Sequence, residues 1–198
     1  MIDKSVFDRR PIVVAIAGSN GAGKSTYYAT QVADAGLPFL NADNLASELA
    51  VDSYLAAQVA DALRRRLIHA GESFVFETVF SDPVGDKLKL LEDAAAAGYQ
   101  VVMCFIGLSG PELSRERVAM RVSRGGHDVP DEKITARFPR TLSNLQAAIN
   151  RLPCVIIFDN SDLFQPFRQV ATFEHGVLSN LEPPIPAWLQ AIMPVVRD

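Results

Sequence analysis

The 198-residue sequence predicts a three-layer α/β fold, with a mainly parallel sheet of five or six strands, helices on both faces and a helical lid. Three observations predict it. Short apolar runs alternate with longer stretches of helical period along the chain. The first apolar run leads straight into a glycine-rich turn, GSNGAGKST, that opens a helix. Late in the chain a glycine pair and a proline, in RGGHDVPDE, separate two arginine-bearing helical stretches.

The first strand spans Ile12 to Ala17 and is almost wholly apolar, as a strand covered on both faces must be. The spacing predicts a helix from Lys24 to Ala35 with Gly36 as its C-terminal cap. A second strand, Pro38 to Asn41, precedes a helix over Asp52 to Ala70, with Leu55, Val59, Leu63 and Leu67 on one face and Gly71 as its stop. Strand three is Ser73 to Thr78. A helix from Gly85 to Ala97 ends at Gly98, and strand four is Gln100 to Gly107. A helix from Pro111 to Arg124 stops at Gly125-Gly126. The next starts at Pro130 and carries the stripe Ile134, Phe138, Leu142, Leu145, Ile149 and Leu152. Strand five is Cys154 to Asp159, a short strand follows near Gln169 to Phe173, and Trp188 anchors a proline-rich end to the surface.

With 48% hydrophobic and 21% charged residues, residues 1–198 suffice for one domain with a substantial core. The formal net charge of -4 supplies no global basic field, so no nucleic-acid partner is expected. No apolar run approaches the roughly 20 residues that span a bilayer, so no membrane partner is expected either. The run at the N-terminus leads into the glycine turn and reads as a strand rather than a signal peptide. Cys104 and Cys154 sit in apolar runs without a CxxC, which fits buried thiols, no metal cluster and a cytoplasmic location.

Gly18, Gly23, Lys24 and Ser25 match GxxxxGK[ST], between a strand and a helix. This is the phosphate-binding P-loop. Gly18, Gly21 and Gly23 allow close backbone approach, and the N–H groups of Gly18, Ser19, Asn20, Gly21, Ala22, Gly23, Lys24, Ser25 and Thr26 are the candidates for holding a nucleotide. Lys24 is expected to reach the β- and γ-phosphates of ATP, and the Ser25 hydroxyl to bind Mg2+. No NKxD guanine-reading motif occurs. Asn160, in the segment after strand five, is expected near the nucleotide base.

Ligands of doubly wound sheets sit outside the carboxyl ends of the strands. Asp43 and Glu77 fall there. Asp43 reads either as a general base for a substrate hydroxyl, or aid to magnesium, or as an N-cap of a helix over Asn44 to Ala50. Glu77, followed by Thr78, reads as a ligand of substrate hydroxyls or of a magnesium-bound water, or as the partner of an arginine. Arg117, Arg121 and Arg124 lie at i, i+4 and i+7 and share a helix face, with Arg137 and Arg140 beyond the turn. Residues 111–140 read either as a lid that closes arginines onto the transferring phosphoryl group or as a solvated basic face. Arg117 and Arg121, then Arg124, are the candidates for the γ-phosphate. His127, in the flap, is read as polar surface.

Taken together, GSNGAGKST, LNADNLA, FVFETVF, RVAMRVSRGGHDVPDEKITARFPRTLSNL and VIIFDNS resemble the zeta-toxin-like P-loop kinases, over about Ile12 to Phe173. The resemblance implies an ATP–magnesium site at Lys24 and Ser25 and a catalytic base at Asp43. It implies a substrate-contacting pair at Glu77 and Thr78, and a lid holding Arg117, Arg121 and Arg124. It also implies a small-molecule acceptor, the 3′-hydroxyl of UDP-N-acetylglucosamine in well-studied members, and an antitoxin protein as partner. The chain departs from the fuller toxins in lacking large substrate-binding insertions. Two other readings accompany the kinase: a partner-stimulated regulatory ATPase, and a nucleotide-binding module without activity.

Overall fold

The computed structural model describes residues 4–126 and 128–193, without the side chains of residues 4, 43, 47, 53 and 54. Within them the strands β1 (Ile12–Ala17), β2 (Phe39–Leu40), β3 (Phe74–Thr78), β4 (Gln100–Gly107), β5 (Cys154–Asp159), β6 (Arg168–Glu174) and β7 (Val177–Leu181) form one sheet. Its order is β2-β3-β1-β4-β5-β6-β7, parallel through β5 and antiparallel beyond it. The helices are α1 (Lys24–Tyr27), α2 (Ala42–Leu49), α3 (Ser53–Ala70), α4 (Asp86–Ala96), α5 (Pro111–Val122), α6 (Asp131–Arg151) and α7 (Ala187–Gln190).

Every residue of β1 is buried, because the sheet is covered on both sides. On one side Val13, Phe76, Met103 and Ile157 pack against Leu91 of α4, Leu145 and Ile149 of α6 and Trp188 of α7. On the other, Val14, Ile16, Cys104 and Phe158 pack against Tyr27, Val32 and Leu37. Burial pushes the Cys104 thiol up to about 12 and the Cys154 thiol up to about 11, so both are inert apolar fillers at neutral pH.

The fold is the one the sequence predicts, with four differences of detail. The sheet has seven strands rather than five or six. The added β7 is mostly exposed and lacks an apolar run, and it is joined to β6 by the two-residue turn His175-Gly176. Both turn residues have positive φ, 50° and 80°, as a tight hairpin of this twist requires. The helix expected from Lys24 to Ala35 is α-helical only to Tyr27, then widens to a π-turn over Tyr28–Val32 and tightens over Ala33–Ala35 before Gly36. The helix after β2 starts at Ala42, and Asn41 caps it by accepting the Asn44 N–H on its side-chain oxygen. The capping role considered for Asp43 therefore falls to Asn41. The buried face of α3 is Ala56, Ala60 and Arg64, one residue on from the predicted stripe, and Leu55 is exposed.

The C-terminal segment is anchored by Trp188, whose indole N–H donates to Asp159 Oδ1 at 3.2 Å while its ring lies over Gly107. A methyl group at Gly107 would stand 2.1 Å from Trp188 Cζ2. Gly107→Ala is therefore expected to cost about 1–3 kcal/mol by overpacking. The thermal midpoint should fall by about 5 °C. An unchanged midpoint would mean that the indole does not lodge there.

Candidate active site

The register of the parallel strands brings their carboxyl ends level. Ala17 pairs with Thr78 on one side and Phe105 on the other, and Gly107 pairs with Asp159. The P-loop, Glu77-Thr78 and Asn160 thus meet at one edge of the sheet, where an α/β fold places its ligands.

The loop itself is held by contacts that glycine makes possible. Gly18 has φ 148°, and a Cβ there would stand 2.3 Å from the Ile106 carbonyl oxygen. At Gly23, with φ 90°, a Cβ would stand 2.9 Å from Asn160 Nδ2. That nitrogen donates to the Ala22 carbonyl at 2.8 Å, and Asn160 Oδ1 accepts the Phe167 N–H at 3.2 Å. Asn160, expected near the base, spends its amide on tying the loop to β5 and to the segment before β6. Ser114 of α5 donates its hydroxyl to the Asn20 carbonyl from the other side. Ser19 Oγ and Asn20 Oδ1 are buried and lack a hydrogen-bond partner among the described residues. Such orphaned groups are what a bound nucleotide would satisfy.

Lys24 is buried, with Nζ donating to the Ser19 carbonyl at 3.0 Å. Glu77 faces it, Oε1 standing 3.7 Å from Nζ. Glu77 Oε2 accepts hydrogen bonds from the Ser25 hydroxyl at 2.7 Å and from Asn41 Nδ2 at 3.1 Å. The carboxylate therefore partners Lys24, Ser25 and Asn41, not an arginine. Thr78 Oγ1 accepts the N–H of Phe80, a buried residue at φ 58°. Thr26 is exposed on α1. Asp43 lies in the first turn of α2, and its side chain is outside the described residues, as is His127.

Arg117, Arg121 and Arg124 separate. Arg121 lines a cavity of about 300 Å³ with Asn20, Gly21, Lys24, Glu77, Lys133 and Arg137. Arg117 turns toward β5 and donates to the Ser161 carbonyl at 3.2 Å. Burial lowers its affinity for the proton, and the Asp159 carboxylate partly offsets this. Arg124 is exposed and lines neither cavity of this edge. Arg140 donates to the Ser81 carbonyl instead. A second cavity, about 180 Å³, adjoins the first at Lys24 and Glu77 and continues past Thr78 to Asp61, Arg64 and Lys87.

Lys133, Arg137, Asp61, Arg64 and Lys87 were absent from the candidates that sequence reasoning supplied for contact with ligands. Arg137 carried a signal, since it follows the flap. Asp61 and Arg64 look like an ordinary i, i+3 ion pair on a helix.

No group of three or more histidine, cysteine, aspartate or glutamate residues forms a metal site among the described residues. The donors present are one hydroxyl and one carboxylate, Ser25 and Glu77. They fit a magnesium ion, which keeps most of its shell as water and phosphate oxygen and takes few protein ligands. No helix among the described residues is long and apolar enough to cross a membrane.

A sequence model of the zeta toxin family matches residues 39–168, most of the chain. Two solved structures of the AvrRxo1-ORF1:AvrRxo1-ORF2 complex, one with sulphate ions and one with ATP, share the fold. Each has a TM-score of 0.70 and 19% identity over 98% of this chain and 69% of theirs. The PezAT chromosomal toxin–antitoxin system of Streptococcus pneumoniae shares it at a TM-score of 0.57 and 14% identity, over 98% of this chain and 89% of that one. No curated protein sequence matches the chain. The family match begins after the P-loop, at β2, so it is independent of the generic phosphate-loop motif. The chain belongs to the zeta toxin family and is an ATP-dependent kinase with the P-loop NTPase fold.

Proposed function

We propose that this kinase transfers the γ-phosphoryl group of ATP to a hydroxyl of a small molecule, with UDP-N-acetylglucosamine or a related sugar nucleotide as the first acceptor to test. The observation that carries the reading is the junction at Lys24 and Glu77. One cavity there runs toward the lid, and another runs away from it past Thr78. A donor and an acceptor can approach the same point from opposite sides.

Lys24 would set its ammonium against the β- and γ-phosphates, where charge shifts during transfer. Ser25 and Glu77 would hold a magnesium ion, which supplies charge neutralisation between those phosphates. Arg121, with Lys133 and Arg137 from α6, would bring positive charge over the lid side once the flap closes. Arg117 would act from the β5 side and Asn160 by bracing the loop, while Arg124 stays in the solvent. Asp43, two residues after Asn41 in the first turn of α2, would take the proton from the attacking hydroxyl.

The proposed partner is an antitoxin protein, supported by the toxin–antitoxin system among the structural neighbours. The proposed location is the cytoplasm, which suits two free cysteines.

Transfer from labelled ATP–magnesium to a panel of sugar nucleotides and small metabolites tests the function. Labelled UDP-N-acetylglucosamine would establish the acceptor, and another labelled product would keep the kinase and replace it. Phosphate release stimulated only by a protein partner would favour the regulatory ATPase instead. With a true acceptor, Asp43→Asn is expected to bind ATP normally and to lose about 10²–10⁴-fold in kcat. Full activity would remove Asp43 as the base.

A further inference from the structure

The acceptor-side cavity ends in a charge arrangement outside the P-loop. Arg64 rises from α3 and is 4% exposed. Its guanidinium lies over the Phe76 ring, 5.0 Å from the centroid. One of its terminal nitrogens bonds Asp61 Oδ1, and its buried Nε has no hydrogen-bond partner among the described residues. Lys87, from the first turn of α4, straddles the same carboxylate, with Nζ 2.7 Å from Oδ1 and 2.8 Å from Oδ2. Burial alone would raise the Asp61 carboxyl, yet hydrogen bonds from Lys87 and Arg64 hold it below the usual range.

Two cations thus share one carboxylate at the end of a cavity whose other end is Lys24 and Glu77. Glu77 is engaged by Lys24, Ser25 and Asn41, and Asp82, which accepts the Lys87 backbone N–H at 3.5 Å, forms no ion pair with either cation among the described residues. A half-buried cluster with excess positive charge is costly unless something anionic completes it. An arginine stacked on an aromatic ring is already oriented, so its fork can meet a carboxylate or phosphate with little loss of freedom. The buried Arg64 Nε, without a partner among the described residues, adds to the cost of holding this guanidinium here.

Resting on the kinase reading of this edge, we infer that Arg64 and Lys87 form the specificity pocket for an anionic group, carboxylate or phosphate, on the acceptor. Asp61 holds the two cations in place until the acceptor arrives. The acceptor then lies along the cavity, its anionic group against Arg64 and Lys87 and its reactive hydroxyl beside Glu77. Neutral sugars and polyols of the same size are excluded because they leave the cations uncompensated.

The test uses the intact chain with a non-hydrolysable ATP analogue and magnesium filling the P-loop. Calorimetry then compares matched acceptors: N-acetylglucosamine, its 1-phosphate and its UDP ester, and glucose against gluconate and glucose 6-phosphate. At least one anionic member should bind at least tenfold tighter than its neutral counterpart. Which member binds separates a carboxylate from a phosphate or a diphosphate. Arg64→Gln and Lys87→Gln should each weaken that binding tenfold or more without changing affinity for the ATP analogue, and Arg64→Lys should restore part of it. Lys87 is partly exposed, so its variant remains informative if Arg64→Gln fails to fold. Equal binding of neutral and anionic members, binding of none, or indifference of the Lys87→Gln and Arg64→Lys variants would overturn the inference. Charge-selective binding without transfer when ATP replaces the analogue would uphold the pocket and sink the kinase reading instead.

Discussion

Lys24→Ala is expected to reduce phosphoryl transfer by about 10³-fold or more while leaving the protein folded. The ammonium is buried at the floor of the site, where it donates to the Ser19 carbonyl and faces Glu77. Both belong to the site rather than to the core. Removing the side chain takes away the cation proposed to meet the β- and γ-phosphates and leaves Glu77 there without its counter-ion. The two effects act in the same direction. Stability should change only modestly, because relief of the ammonium's desolvation offsets part of the cost of leaving Glu77 without its counter-ion. The measurement is single-turnover transfer at saturating ATP, with the thermal midpoint recorded on the same sample. Activity within tenfold of the parent, at an unchanged midpoint, would show that the ammonium does not meet the reacting phosphates.

The second large effect belongs to Glu77→Gln. The substitution keeps the volume and one acceptor oxygen for the Ser25 hydroxyl and the Asn41 amide, but it removes the charge facing Lys24 and points an amide N–H₂ toward the Lys24 ammonium. The proposed magnesium position loses its carboxylate, so kcat should fall by about 10²-fold. The magnesium concentration for half-maximal rate should rise. The lost ion pair should cost about 1–3 kcal/mol, because the Lys24 ammonium then sits buried with less compensation. These two readouts separate the roles. A lowered midpoint with normal magnesium dependence and normal kcat would reduce Glu77 to a structural partner of Lys24.

What could be read from the sequence follows from how each element is stabilised. β1, β4 and β5 have their predicted limits because continuous apolar runs buried on two faces leave little choice of boundary. β7 was not legible. It reads Val-Leu-Ser-Asn-Leu, is largely exposed, and owes its conformation to pairing with β6 and to the His175-Gly176 turn. The α3 face shifted because periodicity rewards leucine, whereas the fold buries Arg64 over Phe76 and exposes Leu55. The convergence of Lys24, Ser25 and Glu77 was legible because strand ends beside a P-loop must face the ligand. The cluster of Asp61, Arg64 and Lys87 was not, since its members sit on two helices and resemble solvated charges until the helices are packed together. Nor does spacing tell which arginine of a helical row faces the loop. In the folded chain Arg117 reaches the Ser161 carbonyl and Arg121 lines the cavity.

The tie between Asn160 and the P-loop has a consequence for biosynthesis. Its two ends are 138 residues apart in the chain. At ribosomal speeds of about 5–20 residues per second, roughly ten seconds separate the appearance of the phosphate loop from that of the side chain that braces it. The Arg168 and Trp188 contacts that steady Asp159, next to that brace, arrive later still. A nascent chain therefore carries its nucleotide loop without the Asn160 tie for those seconds, braced first by Ser114 of α5 alone, and the loop is held from both sides only when the segment after β5 has folded back onto it.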